Sequence, residues 1–409
     1  MSLTDRLKRL GAVHRMAPVE PLPPREPAGD VAGFEPCANG FGTFLMRERF
    51  YPLTHAHGCH ALGEALGCEE KTLGVLARDR RMGTFDVSRA LFLDTETTGL
   101  SGGTGTVAFL VGVAGFEAGG FRVRQLFMRD FDEEPALLFG LSLLLSERTG
   151  LVTYNGKTFD MPLLATRFVA NRLAAPELDL PHLDLLHAAR RLWRHDLQEV
   201  TLGAVERSVL AIVRTGDVPG MMIPALYFQY LTERRPAALE PVFSHNLLDL
   251  LSLVSVIAAG ARACRGEGRG AGEHYGVART HDSMKSPGEA VEGYRRALAA
   301  ATEESLQRTI RKGLARALAR AGRGDEAAAE WRLVSERWED LEALEALAKW
   351  AEHRMRDLAM ASELVERALA KLNSPLFRSI RAHDRQRAAF LLRRERLAAK
   401  RARAARASS

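Results

Sequence analysis

The sequence predicts an α/β domain, a mixed central sheet flanked by helices, followed by an all-α domain of repeated helices. Three observations carry this. From Leu91 onward, strand-type and helix-type segments follow in the order β, β, β, α, β, α; a Gly-rich stretch near residue 270 interrupts the pattern; and beyond it small residues recur at intervals near 34. With 409 residues, 46% hydrophobic and 26% charged, the chain has material for two or three domains with real cores.

In chain order, residues 1–34 are expected to be an extended leader, because APVEPLPPREPAGDVAGFEP (17–36) is too rich in proline for a helix. Residues 35–263 hold the α/β unit. Gly42–Pro52 carries strand-type residues, and Leu91–Asp94, Val107–Phe116 and Gly120–Met128 read as three further strands. Asp132 is placed to cap a helix entered through Glu133, Glu134 and Pro135, whose apolar face includes Leu138, Leu141 and Leu145. Gly150–Tyr154 is the next strand. Residues 264–288, with RGEGRGAGEHYG, are expected to be a Gly-rich linker. In residues 289–373, Ala290, Ala327 and Ala361 each precede a larger apolar residue by four positions (Tyr294, Trp331, Val365), and Gly322–Asp325 supplies an inter-helix turn. Small residues at this period resemble tetratricopeptide repeats, whose paired helices cross closely and whose usual use is to grip a partner segment.

Composition narrows the class. Four cysteines (Cys37, Cys59, Cys68, Cys264) make no disulfide framework in a chain this long, which points to a reducing compartment. The segment MSLTDRLKRLGAV lacks the apolar core of a signal peptide, and no run of about 18 apolar residues occurs. A cytoplasmic protein with no membrane attachment is the expectation. Charge is uneven: residues 374–409 hold eleven Arg or Lys against Asp384 and Glu395, a net +9, so residues 1–373 carry −3 of the total +6. Such a basic tail either favours polyanions through counterion release or is a solvated Arg/Ala helix.

The chemistry concentrates in three places. In LFLDTETTGL (91–100), Asp94 and Glu96 are two apart on a strand, so their carboxylates share a face. Like charges this close call for a cation or a solvent-exposed strand end. In LVTYNGKTFDMPLL (151–164), an Asn155-Gly156 turn leads to Asp160 at the opening of a helix. In FSHNLLDLLSL (243–253), His245 and Asp249 are four apart on one face of an otherwise apolar helix, a placement that is costly unless both are used or paired.

These three motifs, together with HLDLLHAARRLWR (182–194) and GDVPGMMIPALYFQYL (216–231), resemble the exonuclease motifs of the DEDD superfamily, and most closely the YprB-type ribonuclease H-like proteins over residues 35–260. The second motif is also close to that of family-B polymerase proofreading domains. The resemblance implies a ribonuclease H-like fold, often followed by tetratricopeptide repeats, and a metal-dependent 3′–5′ exonuclease releasing nucleoside 5′-monophosphates. It implies two Mg²⁺ or Mn²⁺ ions held by Asp94, Glu96, Asp160 and Asp249, with Asp94 bridging, and His245 as general base, an imidazole having an ordinary pKa near about 6.5. One departure stands out. Histidine-type members usually space the third motif His-x4-Asp, whereas His245 and Asp249 have the x3 spacing of tyrosine-type members.

Thr97, Thr98, Gly99, Asn155 and Lys157 are candidate substrate contacts, and Asp184 a helix cap. The substrate implied is nucleic acid, DNA ahead of RNA, since members of the family are associated with a DNA-repair helicase, which would also be the partner of the helical repeats. The alternatives are an RNA-trimming exonuclease and a non-catalytic adaptor with a vestigial nuclease fold. Residues 101–106 (SGGTGT) lack the Lys-Ser/Thr ending of a phosphate loop, and His55, His57, Cys59, His60 and Cys68 match no standard zinc spacing.

Overall fold

A computed structural model of the chain describes residues 31–80, 82, 85–99, 105–174, 180–378 and 383–407. The Pro-rich leader up to residue 30, and residues 101–104 of the SGGTGT turn, lie outside the described residues.

Strands β1 (Glu35–Asn39) and β2 (Gly42–Pro52) form a hairpin, followed by the two-residue strands β3 (Ala56–His57) and β4 (His60–Ala61) and by helix α1 (Glu70–Ala77). The expected three strands are β5 (Ala90–Thr97), β6 (Ala108–Glu117) and β7 (Gly120–Phe127); helix α2 (Glu134–Ser146), strand β8 (Gly150–Thr153) and helix α3 (Asp160–Ala170) complete the predicted order, and strand β9 (His182–Asp184) and helix α4 (Leu185–Trp193) extend it. One cap differs from expectation. A single 3₁₀ turn, Phe131–Glu133, precedes α2 and moves the capping acid upstream, so Asp130 rather than Asp132 accepts from a backbone amide, that of Phe131.

The seven-stranded sheet runs β1-β2-β7-β6-β5-β8-β9. β5 to β1 is antiparallel throughout, and β8 and β9 continue parallel to β5. Alternation along β5 sends Leu91 and Leu93 to one core and Phe92 to the other. Each face is covered by helices: α2, α3 and α5 (Ile223–Glu233) on the first, α1 and α4 on the second. Helix α6 (Glu240–Arg265) belongs to both. It starts in the first core with Val242 and Phe243 and continues in the second with Leu250, Leu253 and Val254, and His245, Asn246 and Asp249 lie at the crossing. The most apolar stretch of the chain is therefore a core helix packed on the sheet.

The expected linker is corrected by the structure. Residues 271–283 form helix α7 (Ala271–Ser283), docked on α4. Its glycines serve contact rather than flexibility: a Cβ on Gly276 would lie 2.3 Å from the carbonyl oxygen of Arg191, and Trp193 Nε1 donates to the buried Glu273 at 2.7 Å. Helices α8 (Pro287–Ala300), α9 (Glu304–Arg320), α10 (Gly324–Trp338), α11 (Leu341–Trp350) and α12 (Leu358–Asn373) follow, each packed on the next, with Ala290, Tyr294, Ala327, Trp331, Ala361 and Val365 all buried.

The basic tail is folded back rather than free. In α13 (Asp384–Ala407), Phe390 and Leu397 are buried against the α11–α12 core, and Arg393, Arg396 and Lys400 converge on the fully buried carboxylate of Glu352 at 2.7–2.8 Å. Burial alone would raise the Glu352 carboxyl, but the hydrogen bonds from Lys400 and Arg396 outweigh it and hold its pKa at about 2. A depressed acid stabilises the fold above its unfolded pKa and loses that contribution as pH falls through the folded one. Replacing Glu352 by Gln is expected to cost about 1.5–3 kcal/mol at neutral pH, read by urea denaturation, with the difference from wild type shrinking between roughly pH 4.5 and pH 2. It should also make the chain more open to trypsin after Asn373.

Candidate active site

The site is built on one register row of the sheet. Arg47 of β2, Gln125 of β7, Gly112 of β6 and Asp94 of β5 are successive partners across four strands. Gly112 leaves the gap that Asn246 of α6 fills: a Cβ there would lie 2.2 Å from Asn246 Oδ1. Asn246 Nδ2 donates to Asp94 Oδ2 at 2.8 Å, Gln125 Nε2 donates to Asn246 Oδ1 at 2.9 Å and to the Phe243 carbonyl at 2.7 Å, and Arg47 donates to Gln125 Oε1 at 2.9 and 3.1 Å. Arg47 ends the chain on Glu240 at 2.9 Å. Arg47, Gln125 and Asn246 are all buried, so this polar relay has no water to fall back on and fixes the orientation of Asp94.

The other three acids come from β5, α3 and α6. Glu96 follows Asp94 on the same face, just before a register shift at Glu96/Thr97. Thr95, pointing to the opposite face, donates to Asp160 Oδ1 at the first turn of α3. The Asn155 turn that delivers Asp160 has a left-handed φ of 71° and is tied down by Asp184, which accepts from the amides of Asn155 and Lys157 at 2.8 and 3.1 Å while capping α4 through Leu186 N. Asp249 and His245 project from one face of α6; His245 Nε2 is 3.7 Å from Asp249 Oδ2 and 4.0 Å from Glu96 Oε1. Burial first, and then Asp249 and Asp160, push the Asp94 carboxyl well above the ordinary range; burial, Asp94 and Asp249 do the same to Glu96, and burial raises Asp160 to about 6.

Two further residues lie beside these acids: Arg214, outside the sequence motifs, and Asp217, within the GDVPGMMIPALYFQYL segment. Asp217 Oδ1 accepts from His245 Nδ1 at 2.7 Å, so a neutral imidazole keeps its Nε2 lone pair turned toward the acids. Arg214 lies among Glu206, Asp217 and Asp249 and donates to Glu206 and Asp249 through Nη2. The signal for Asn246 and Gly112 was present in the sequence: an amide beside His245 in an apolar helix, and a glycine inside a strand. No such signal marked Arg214, and nothing singled out Asp217 within GDVPGMMIPALYFQYL; both reach the site on an irregular segment.

Among the described residues no group of three His, Cys, Asp or Glu side chains stands arranged to hold a metal ion. Three of the four carboxylates instead face a protein donor: Asp94 faces Asn246, Asp160 faces Thr95, and Asp249 faces Arg214. The donor set still has the chemistry of a hard divalent cation site. Four convergent carboxylates with one guanidinium among them retain a negative excess, and it is this repulsion, on top of burial, that raises Asp94 and Glu96. The remaining candidates serve locally. Thr97 donates to the Gly99 carbonyl at 2.7 Å, Thr98 Oγ1 accepts from Val107 N at 3.0 Å, and Asn155 Oδ1 accepts from Thr158; Lys157 is exposed, and its backbone amide donates to Asp184. The histidine cluster near residue 57 is likewise taken up by structure, His57 bonding Ser252 and His60 bonding Glu64, each at 2.8 Å.

The RNase_H superfamily profile matches residues 91–259, the span from the start of the DTE strand to the end of the apolar part of α6. The uncharacterized protein YprB of Bacillus subtilis is 33% identical over 338 residues, covering 80% of both chains. The chain belongs to the YprB family. Its α/β unit is a ribonuclease H-like domain, and in this YprB-family chain Asp94 and Glu96 stand on β5, inside the sheet, while Asp160 and Asp249 come from α3 and α6. Among solved structures, the family B DNA polymerase of Pyrobaculum calidifontis is similar, with a TM-score of 0.35 and 16% identity over 51% of this chain and 29% of the polymerase.

The packing around Gly112 makes a direct prediction. Gly112→Ala forces the Asn246 amide off its place and is expected to cost about 1–3 kcal/mol in urea denaturation. Gly40→Ala, where a Cβ meets nothing within 4 Å, should change stability by less than about 0.5 kcal/mol.

Proposed function

We propose that this protein is a divalent-cation-dependent 3′–5′ exonuclease acting on nucleic acid, with DNA the preferred substrate and repair its setting. The observation that supports this most is the convergence of Asp94, Glu96, Asp160 and Asp249, with His245 beside them, on a ribonuclease H-like sheet. These four carboxylates would hold two Mg²⁺ or Mn²⁺ ions, whose contribution when bound is Lewis-acid stabilisation of charge on the attacking and departing oxygens.

The chain's own residues then have distinct tasks. Asn246, backed by Gln125 and Arg47, fixes Asp94. Asp217 holds the His245 Nδ1 proton, and Nε2 accepts a proton from the water that attacks phosphorus. The new P–O bond forms as the bond to the 3′ oxygen breaks, leaving a 5′-monophosphate and a 3′-hydroxyl. The x3 spacing of His245 and Asp249 is compatible with this role, because one helical turn still puts both on the face turned toward Glu96.

A cleft beside the Asn155 turn supports a polyanionic substrate. It is lined by Arg78, Asp79, Lys157, His182, His187 and Arg191. Burial first, and then Lys157, push His182 down to about 4, so it lines the cleft as a neutral donor or acceptor and the positive charge comes from the arginines and Lys157. Lys157 thus serves the strand that leads away from the acids.

End-labelled single-stranded DNA, duplex DNA and RNA, each incubated with Mg²⁺, Mn²⁺ or EDTA, test the reading. A cation-dependent ladder shortening from the 3′ end is expected, abolished by Asp94→Ala; inert wild-type protein on all three substrates would overturn it. Asp217→Asn should lower kcat by about 10²-fold or more with little change in KM, the size of effect that belongs to a positioned proton acceptor. The double change Arg78→Glu, Lys157→Glu should instead raise KM and flatten the salt dependence of binding by about two phosphate contacts.

A further inference from the structure

Arg214 is held in a posture that matches neither a surface arginine nor a finished structural ion pair. Its side chain is 9% exposed, and it sits between Glu206, which is 2% exposed, and Asp249, bonding both through the same Nη2. Nη1 lies 3.4 Å from Asp217 Oδ2, and Nε is buried without a hydrogen-bond partner among the described residues. A buried guanidinium N–H left unmade is costly, so this arrangement does not exhaust what the side chain can bond.

The two main partners of Arg214 are unlike. Glu206 is fixed from behind: Ser252 Oγ donates to its Oε1, and His57 Nε2 is 2.8 Å from that same Ser252. Asp249 stands on the other side, among the acids that face the crossing of α6 and β5. Arg214 itself rides on an irregular segment, after the π-turn Glu206–Leu210 and a left-handed Ala211 with φ 57°, rather than on a helix or strand that would lock its backbone.

We propose that Arg214 is the built-in counter-ion of the acid cluster, and that a divalent cation entering the cluster displaces its guanidinium from Asp249 while Glu206 retains it. This rests on the reading of Asp94, Glu96, Asp160 and Asp249 as cation ligands. It accounts for the absence of an assembled ligand group among the described residues, since the oxygen that Asp249 would offer a cation is engaged by Arg214. It also assigns Glu206, Ser252 and His57 a joint task, that of anchoring the displaced arginine close to the site.

Mn²⁺ binding by the full chain, followed through the loss of the free-ion electron paramagnetic resonance signal, tests this without relying on activity. Arg214→Gln is expected to bind Mn²⁺ about tenfold more tightly than wild type, because a competing positive charge has gone. In EDTA the same variant should melt earlier, and added Mn²⁺ should raise its melting temperature more than that of wild type. If folded Arg214→Gln binds Mn²⁺ no better than a binding-competent wild type, the proposal is overturned while the ligand reading survives. If neither protein binds Mn²⁺, the ligand reading fails and the proposal with it. Should the variant not fold, a structure of the wild-type protein grown with Mn²⁺ decides the matter: a guanidinium moved off Asp249 supports displacement, and an intact Arg214–Asp249 pair beside bound Mn²⁺ refutes it.

Discussion

The hydrogen bond from Asn246 to Asp94 is the contact on which the site depends. A half-buried carboxylate inside a sheet would be a liability without a fixed donor, and the donor comes from a helix more than a hundred residues away in sequence. Its geometry is set by the sheet itself: Gly112 leaves the space, Gln125 holds the amide the right way round, and Arg47 and Glu240 close the relay at its far end. Moving any of these would leave a buried polar group unmatched, so the row acts as a single unit that joins four strands to α6. The same helix carries His245 and Asp249, and fixing Asn246 therefore fixes all three.

Electrostatics explains why so much polar machinery surrounds so few acids. Glu96 and Asp160 are buried and Asp94 is half-buried, and all three carboxyls are raised, each by desolvation first and then by neighbouring acids. Such an arrangement favours a cation over a set of protonated acids only if the acids are held in place against their own repulsion, which is the work of Asn246, Thr95 and Arg214. His245 is organised by the same logic, with Asp217 settling which nitrogen carries the proton.

The helical region is joined to the ribonuclease H-like domain by a packed interface. Gly276 lets α7 approach α4 closely, Gly272 lies against Asp196 just past the end of α4, and the buried Trp193–Glu273 bond pins the contact. At the other end, Glu352 collects three cations of α13, converting part of a strongly basic tail into structure. The charge that composition assigned to a polyanion or to solvent is thus partly internal.

What the sequence determined by itself is what short-range geometry dictates. Period-two alternation placed Asp94 and Glu96 on one face, a four-residue step placed His245 with Asp249, and the order of strands and helices from Leu91 onward announced the ribonuclease H-like sheet. The cap at Asp130, the packed glycines of α7 and the docked tail departed from local reading because each depends on a neighbour that local pattern does not show. Arg214 lay outside every motif, and Asp217 was not singled out within its own, for the same reason: they lie on an irregular stretch whose residues carry no periodicity, and only the fold brings them to Asp249 and His245. Tertiary structure decided which donors meet which acids, since those bonds span 28 to 152 residues and depend on strand register and helix crossing, which no window of sequence contains.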